Sequence, residues 1–186
     1  MRLFLAGVVP DAVKQALHAQ LEPVRAATPQ ARWLPVESLH LTLVFLGAVA
    51  DANVLALQVA FGGVCGRHRA VSLMLGQVET FGPTRSPRVL ATTLEGDVEG
   101  LHALVTDARR AVEPMVALEP ERPFRPHLTV ARARSSHGDV LLGRCRSALV
   151  EGLEGSFVLR DVALMKSDTL ASGAVHTTIA RWALPG

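Results

Sequence analysis

The sequence has no tyrosine, and only two of its 19 lysine and arginine residues are lysines, Lys14 and Lys166. Cysteine is equally scarce, since Cys65 and Cys145 are the complete set. The opening MRLFLAGVVPDAV lacks the long apolar region of a signal peptide, and no apolar run reaches the ~18 residues that a membrane span needs. We therefore expect a cytoplasmic protein without a membrane partner, with both cysteines as buried, reduced thiols.

The composition is that of a folded globular protein. The 186 residues are 49% hydrophobic and 19% charged, which excludes a disordered chain. The formal net charge is only +2, and the excess of arginine is explained by a GC-rich coding sequence. Individual arginines near the motifs described below are nevertheless candidate phosphate ligands, because guanidinium binds phosphate in a bidentate manner. No heptad or long exposed apolar helix requires an oligomer, so we expect a monomer.

Hydrophobic periodicity predicts helices alternating with strands. The predicted helices are 11–27, 53–64 (capped by Asp51), 98–113 and 138–150. The predicted strands are 3–9, 40–47, 71–80, 88–96, 127–132, 156–167 and 174–184. The second half repeats the order of the first, and each half ends in a pair of strands. This favours an α+β fold with two lobes of antiparallel sheet, and a duplicated lobe is the simplest interpretation.

Two similar stretches lie nearly half a chain apart, HLTLVFLG at 40–47 and HLTVAR at 127–132. Because side chains alternate between the faces of a strand, His40 and Thr42 share one face, and His127 and Thr129 share one face of the other strand. The apolar positions between them, including Phe45, are expected to face the core. If the lobes are related by a pseudo-twofold axis, both polar faces line one central cleft.

Two imidazoles in one cleft suit a reaction that needs a base and an acid in the same turnover. One histidine can take a proton from an attacking water while the other protonates a leaving oxygen. Threonine hydroxyls can donate hydrogen bonds to oxygens that become more negative in the transition state. A phosphodiester fits this arrangement, with the attacking and leaving oxygens on opposite sides of phosphorus and no metal or cofactor required.

The two motifs, at 40–43 and 127–130, resemble the paired HxTx motifs of the two-histidine phosphoesterase superfamily. The flanking segments MRLFLAGVVP, RWLPVESLHLTLVFLG, FRPHLTVAR and VALMKSDTLASGAVHTTIARWAL are similar to the RNA 2′,3′-cyclic phosphodiesterase family, long called 2′-5′ RNA ligases. This resemblance implies one bilobal α+β domain over residues 1–186, with antiparallel sheets flanked by helices around a central cleft. It also implies metal-independent hydrolysis of RNA 2′,3′-cyclic phosphate ends to 2′-phosphomonoesters, with reversible ATP-independent 2′-5′ ligation as a secondary activity.

The resemblance implies roles that the nearly symmetric motifs cannot assign by themselves. His40 would be the proton donor and His127 the proton acceptor, while Thr42 and Thr129 would bind phosphate oxygens. Arg132 matches a basic residue of the family, but strict alternation puts it on the face opposite His127 unless the strand bends near Ala131.

Several other positions are open to two interpretations. The loop arginines Arg85, Arg88 and Arg125 are either RNA contacts or solvated charges, and Phe81 and Phe124 are candidate stacking platforms for bases. His176 stands where many relatives have tyrosine, and a surface strand position is favoured over the cleft edge. The remaining histidines receive no role in the chemistry: His18, His68, His102 and His137.

Three other functions remain open from sequence. The enzyme could act on small cyclic phosphates, such as a nucleoside 2′,3′-cyclic phosphate or an ADP-ribose cyclic phosphate. The chain could also be a non-catalytic module that binds RNA ends. A metal hydrolase with His40 and His127 as ligands is disfavoured, because no carboxylate or third histidine lies at a suitable spacing.

Overall fold

The computed structural model describes residues 1–120, 123–170 and 173–186. The helices in these ranges are α1 (Asp11–Ala27), α2 (Val54–Cys65), α3 (Val98–Val112) and α4 (Val140–Ala148). The strands are β1 (Arg2–Gly7), β2 (Arg32–Trp33), β3 (Leu41–Ala48), β4 (Val71–Phe81), β5 (Val89–Gly96), β6 (His127–Arg132), β7 (Ser156–Leu159), β8 (Asp161–Leu170) and β9 (Gly173–Ala183). None of the helices in the described part of the chain is long and apolar enough to cross a membrane.

Most predicted elements are present with bounds close to those expected, but three details differ. The predicted strand 156–167 is two strands, β7 and β8, which pair with β4 and with β1 respectively. The predicted cap of α2 is wrong, because Asp51 begins a short 3-10 turn and its carboxylate lies 3.7 Å from the amino group of Met1. Strand β2 was not predicted, since two residues carry no periodic pattern. It pairs Arg32 with Arg132 and Trp33 with Ala131.

The nine strands formed by the described residues make one antiparallel sheet in the order β7-β4-β5-β6-β3-β1-β8-β9, with β2 also pairing to β6. The two motif strands, β3 and β6, are neighbours at the centre of this order. The sheet therefore divides into two four-stranded lobes, β3-β1-β8-β9 and β6-β5-β4-β7. The predicted α+β architecture, with two antiparallel lobes around a cleft, is confirmed.

The lobes are not the two halves of the sequence. The β4–β5 hairpin, from the first half, pairs with the second motif strand β6, whereas the β8–β9 hairpin, from the second half, pairs with β1. One edge of β3 is taken by β1 and the other by β6, so the β4–β5 hairpin cannot join the strand that precedes it. Strands that follow one another in sequence usually pair, but β3 and β4 are not neighbours in this sheet.

The hydrophobic core lies between one face of the sheet and the helices. It contains Leu5 from β1 and fully buried residues from each helix, among them Leu17, Phe61, Leu101 and Leu142. Burying each such side chain contributes on the order of 2 kcal/mol to the free energy of unfolding. Because the helices cover this face, the other face of the sheet stays open and forms the cleft.

Both cysteines are buried and free, as predicted. Burial raises the pKa of the Cys65 thiol to about 11, so this thiol is protonated and unreactive at neutral pH.

Candidate active site

Bulges decide which side chains of β3 face the cleft. Ala6 pairs with Thr42 and Phe4 pairs with Phe45, while Leu43 is skipped in the register between the two strands. This extra residue shifts the alternation, so Thr42 and Phe45 lie on the same face of the sheet as Phe4. The expectation that Phe45 faces the core is therefore wrong, and its side chain is 63% exposed.

A second bulge changes the position of Arg132. Ala91 pairs with Thr129 and Leu90 pairs with Ala131, so Val130 is the extra residue on β6. Beyond this bulge the alternation is shifted by one, and Arg132 lies on the same face as Thr129. It borders the cleft together with His40 and Thr129, so the bend that its role requires is present just before Ala131.

The two motifs meet in a reciprocal arrangement. Leu41 on β3 pairs with Leu128 on β6 in antiparallel register. This register sets His40 opposite Thr129 and Thr42 opposite His127. Side chains that face each other across antiparallel strands have Cβ atoms about 5 Å apart. By this register each histidine lies next to the threonine of the other motif. Of the four residues, His40 and Thr129 border the cleft described below, whereas Thr42 and His127 are not among the described residues that line it.

Both motif histidines are oriented by the same local contact. Nδ1 of His40 lies 2.7 Å from the carbonyl oxygen of Ser38, and Nδ1 of His127 lies 2.7 Å from the carbonyl oxygen of Arg125. A carbonyl oxygen only accepts hydrogen bonds, so Nδ1–H is the donor in each case. Nε2 of each ring is then the atom left to exchange a proton with a ligand.

Each of these imidazoles also packs against a phenyl ring. The ring centroids of Phe4 and His40 are 4.9 Å apart at an interplanar angle of 39°, and those of Phe81 and His127 are 4.7 Å apart at 35°. The Phe81 ring is enclosed further, because the guanidinium carbon of Arg125 lies 4.9 Å from its centroid. Phe81 thus supports His127 and does not offer a free face to a base.

The electrostatic surroundings disfavour protonation of both histidines. Burial lowers the pKa of His40 to about 4, with smaller like-charge contributions from His176, Arg132 and Lys14. Burial also lowers the pKa of His127, and the charges of Arg132 and Arg125 add to this effect. The hydrogen bonds to Ser38 and Arg125 act in the opposite direction. A site that holds its imidazoles neutral next to fixed cations is prepared for an anionic ligand.

The cleft beside the two motifs has a volume of about 860 Å³, within the range of small-molecule binding sites. Basic side chains dominate its polar lining, with one carboxylate, Glu37, among the described residues that border it. The basic residues are Lys14, Arg32, Arg132 and Arg181. Arg181 is paired with Asp161 at 2.9 Å. The balance of charge in the cleft therefore favours an anion.

His176 lies in the cleft, contrary to the favoured surface position. Its ring meets Phe4 edge to face at 5.0 Å and His40 at 5.1 Å. Its Nδ1 atom is buried and has no hydrogen-bond partner among the described residues. Burial, together with the charge of Arg132, lowers its pKa. Sequence could not separate the two positions, because the face of His176 depends on where β9 pairs with β8.

Other sequence candidates lie outside the cleft. Phe124 packs edge to face against His102 at 5.3 Å and against the core, so it is not a stacking platform in the cleft. Arg125 is ion-paired with Glu79. Arg85 and Arg88 do not border the cleft. Among the described residues, no three His, Cys, Asp or Glu side chains are close enough together to bind a metal ion.

Sequence reasoning missed several contributors to the site, including Arg181 on β9. Phe4 and Lys14 come from β1 and α1, and Arg32 and Trp33 form β2. Lys14 was identifiable only as one of two lysines. A phenylalanine inside an apolar strand carries no sign that it supports a histidine.

Comparison with known proteins identifies relatives over nearly the whole chain. Residues 9–170 match the model of the 2′-5′ RNA ligase superfamily. The chain is 31% identical to an RNA 2′,3′-cyclic phosphodiesterase of Thermus thermophilus over 195 residues, an alignment that covers 100% of this chain and 91% of the relative. It is 30% identical over 129 residues to a protein of the same name from Geobacillus stearothermophilus, covering 69% of this chain and 41% of that relative. A crystal structure of Escherichia coli LigT complexed with 3′-AMP superposes with a TM-score of 0.77 at 25% identity, over 98% of this chain and 97% of the other.

Proposed function

We propose that this chain, which belongs to the 2′-5′ RNA ligase superfamily, hydrolyses RNA 2′,3′-cyclic phosphate ends to 2′-phosphomonoesters without a metal. The observation that carries this proposal is the antiparallel register of the two motif strands, with Leu41 opposite Leu128, which sets each motif histidine next to the threonine of the other motif. Two relatives named RNA 2′,3′-cyclic phosphodiesterase and a LigT structure containing 3′-AMP support a terminal ribonucleotide phosphate as the ligand.

The cyclic phosphate is an anion, and the two motifs offer complementary groups. Thr42 and Thr129 donate hydrogen bonds to its two non-bridging oxygens, one from each motif strand. Arg132 balances its charge from the neighbouring position on β6. Because these donors come from two strands fixed in one sheet, little reorganisation is needed when charge develops on the phosphate.

Hydrolysis then requires one proton transfer at each histidine. Nε2 of His127 accepts a proton from water as the water oxygen bonds to phosphorus. The bond from phosphorus to O3′ breaks on the opposite side, and Nε2–H of His40 gives its proton to O3′. The products are a 2′-phosphomonoester, a 3′-hydroxyl, a neutral His40 and a protonated His127. Exchange with solvent restores the starting charges.

A proton donor with a pKa of about 4 is not charged at neutral pH in the free cleft. The substrate changes this, because an anion close to His40 favours the imidazolium form. We therefore propose that binding of the phosphate loads the proton that is delivered in the next step, so that His40 becomes an acid only when substrate is present.

Transfer of the phosphate to another nucleophile would use the same groups. A 5′-hydroxyl of a second RNA in place of water would give 2′-5′ ligation, which we propose only as a secondary activity. We further propose a monomeric, single-domain enzyme over residues 1–186 that works in the cytoplasm. The cleft is formed within one chain, and the two free, buried thiols suit a reducing compartment.

An RNA oligonucleotide with a 2′,3′-cyclic phosphate end, incubated in excess EDTA, tests this proposal. His40→Ala and His127→Ala should each lower turnover by about 10² to 10⁴, with unchanged circular dichroism. His137→Ala, an exposed histidine outside the cleft, is the matched control and should keep full activity. Full turnover in either motif variant would refute the two-histidine mechanism, and loss of activity in EDTA alone would indicate a metal hydrolase.

A further inference from the structure

A second cavity adjoins the cleft, with a volume of about 350 Å³. Arg32 and Trp33 of β2 border both cavities, so the two spaces share a wall. The far side of the second cavity is formed by the end of α1 and by the chain that follows β6. We call this second cavity, with its shared wall, the arginine groove.

The groove is rich in uncompensated positive charge. Arg25, Arg32 and Arg134 border it, against one carboxylate, Glu22, among the described lining residues. Glu22 lies 3.8 Å from Arg25 and is largely exposed, which makes a weak pair. Arg134 donates to the carbonyl oxygen of Gln30 at 3.0 Å. In the described ranges, neither Arg32 nor Arg134 has a carboxylate within 4.0 Å.

Two guanidinium groups face each other where the groove meets the cleft. Arg32 is the cross-strand partner of Arg132. Burial lowers the pKa of Arg132, and the charge of Arg32 lowers it further. Like charges directly opposite on neighbouring strands destabilise a sheet. A bound anion between them would offset this repulsion, so this junction is suited to a phosphate group.

Trp33 supplies an aromatic surface at the same place. Its indole Nε1 donates to the carbonyl oxygen of Thr28 at 3.2 Å, which fixes the orientation of the ring. The side chain is half-buried. It packs against the hydrophobic core, as Phe124 does, but unlike Phe124 it also borders both cavities. An oriented indole beside guanidinium groups is the combination that binds single-stranded nucleic acid, because bases stack on the ring while phosphates contact the cations.

We infer that the arginine groove binds the RNA chain on the 5′ side of the terminal cyclic phosphate, with backbone phosphates on Arg32, Arg134 and Arg25 and a base on Trp33. This inference rests on the proposed function, since it assumes that the terminal phosphate occupies the cleft beside His40. It specifies the substrate class, because an oligoribonucleotide reaches the groove and a mononucleoside cyclic phosphate does not.

The test compares two substrates, a nucleoside 2′,3′-cyclic phosphate and a five-nucleotide RNA with the same end. The double variant Arg25→Gln/Arg134→Gln should lower kcat/KM for the oligonucleotide at least 10-fold through KM, and leave the nucleoside substrate unchanged. The dependence of log KM on log salt should become shallower by about 1.4, since two phosphate contacts are lost. The matched control is Arg109→Gln/Arg110→Gln on α3, which packs on the core face of the sheet.

Equal losses on both substrates, or no loss on the oligonucleotide, would overturn the groove while leaving the hydrolase intact. If the unmodified protein hydrolyses neither substrate, the proposed function fails. The affinity of the protein for RNA then tests the groove separately. Fluorescence anisotropy with a labelled five-nucleotide RNA should still show at least 10-fold weaker binding for Arg25→Gln/Arg134→Gln. Unchanged affinity in that measurement would overturn the groove as well.

Discussion

The rings of His40 and His176 meet edge to face, with centroids 5.1 Å apart and planes at 83°. Both rings also touch Phe4, at 4.9 Å and 5.0 Å. His176 thus places a second ionisable imidazole next to the proposed acid. Burial is the main cause of the low pKa of His40, and like-charge repulsion from His176 lowers it further. This pair makes the protonation of His40 sensitive to a residue on the last strand of the sheet.

Replacing His176 by phenylalanine should raise the pKa of His40. The substitution keeps an aromatic ring against Phe4 and removes the charge that opposes the second proton on His40. An NMR titration of the His40 ring in the free protein would measure the shift. His137→Phe, at an exposed position outside the cleft, should leave that pKa unchanged. An unchanged or lower pKa in His176→Phe would contradict the coupling.

The activity should have an acidic optimum in kcat/KM. The reaction requires protonated His40 and neutral His127, and the free protein lowers the pKa of both below 6.5. The fraction in the required form then peaks below pH 6.5, at the mean of the two pKa values. The optimum of kcat should lie at higher pH, because the bound anion raises both values. A kcat/KM that keeps rising up to pH 8 would contradict the proposed roles.

Folding stability should fall on acidification. His40, His127 and His176 have lowered pKa values in the folded protein, so the unfolded chain binds more protons as the pH drops below 6.5. The stability that these neutral histidines contribute is therefore fully present above pH 6.5. It is lost as the pH falls toward their pKa values in the folded protein. For His40, whose pKa is about 4, the loss reaches about 3 kcal/mol.

Urea unfolding at pH 7.5 and pH 5 measures this effect. Carboxylates also begin to titrate near pH 5, so His40→Gln is the comparison that isolates the histidine. The variant should lose less stability than the unmodified protein between the two pH values. Equal losses in both proteins would show that His40 is not destabilised as an imidazolium.

The two motif threonines should contribute similarly, because the antiparallel register of β3 and β6 sets each of them next to the histidine of the other motif. Thr42→Val and Thr129→Val each remove a hydroxyl without changing the size of the side chain. Each is expected to lower kcat by about 10². The matched control is Thr177→Val, an exposed position on β9 that pairs with Lys166 and does not border the cleft. A change in KM alone would contradict a role in the transition state.

Much of this site was predictable from local pattern. The period-2 alternation around His40 and His127 predicted their shared faces with Thr42 and Thr129, and His40 and Thr129 border the cleft as expected. Helix α1 has the predicted bounds, because its apolar spacing and the preceding Pro10 are both local signals. These inferences succeeded where a short stretch of sequence determines the geometry.

The failures have a different physical origin. Phe45 and Arg132 were assigned by strict alternation, and bulges at Leu43 and Val130 shift that alternation. A bulge depends on how two distant strands pair, so neither strand shows it alone. The pairing of β4–β5 with the second motif strand has the same long-range character.

The identity of the product end tests two-histidine hydrolysis most directly. An RNA oligonucleotide ending in a 2′,3′-cyclic phosphate would be incubated with the protein in excess EDTA. The product would then be treated with a general phosphatase and with an enzyme specific for 3′-phosphates. We predict a 2′-phosphate, sensitive to the first and resistant to the second. A 3′-phosphate would contradict His40 as the donor to O3′, and the absence of product would contradict the hydrolase.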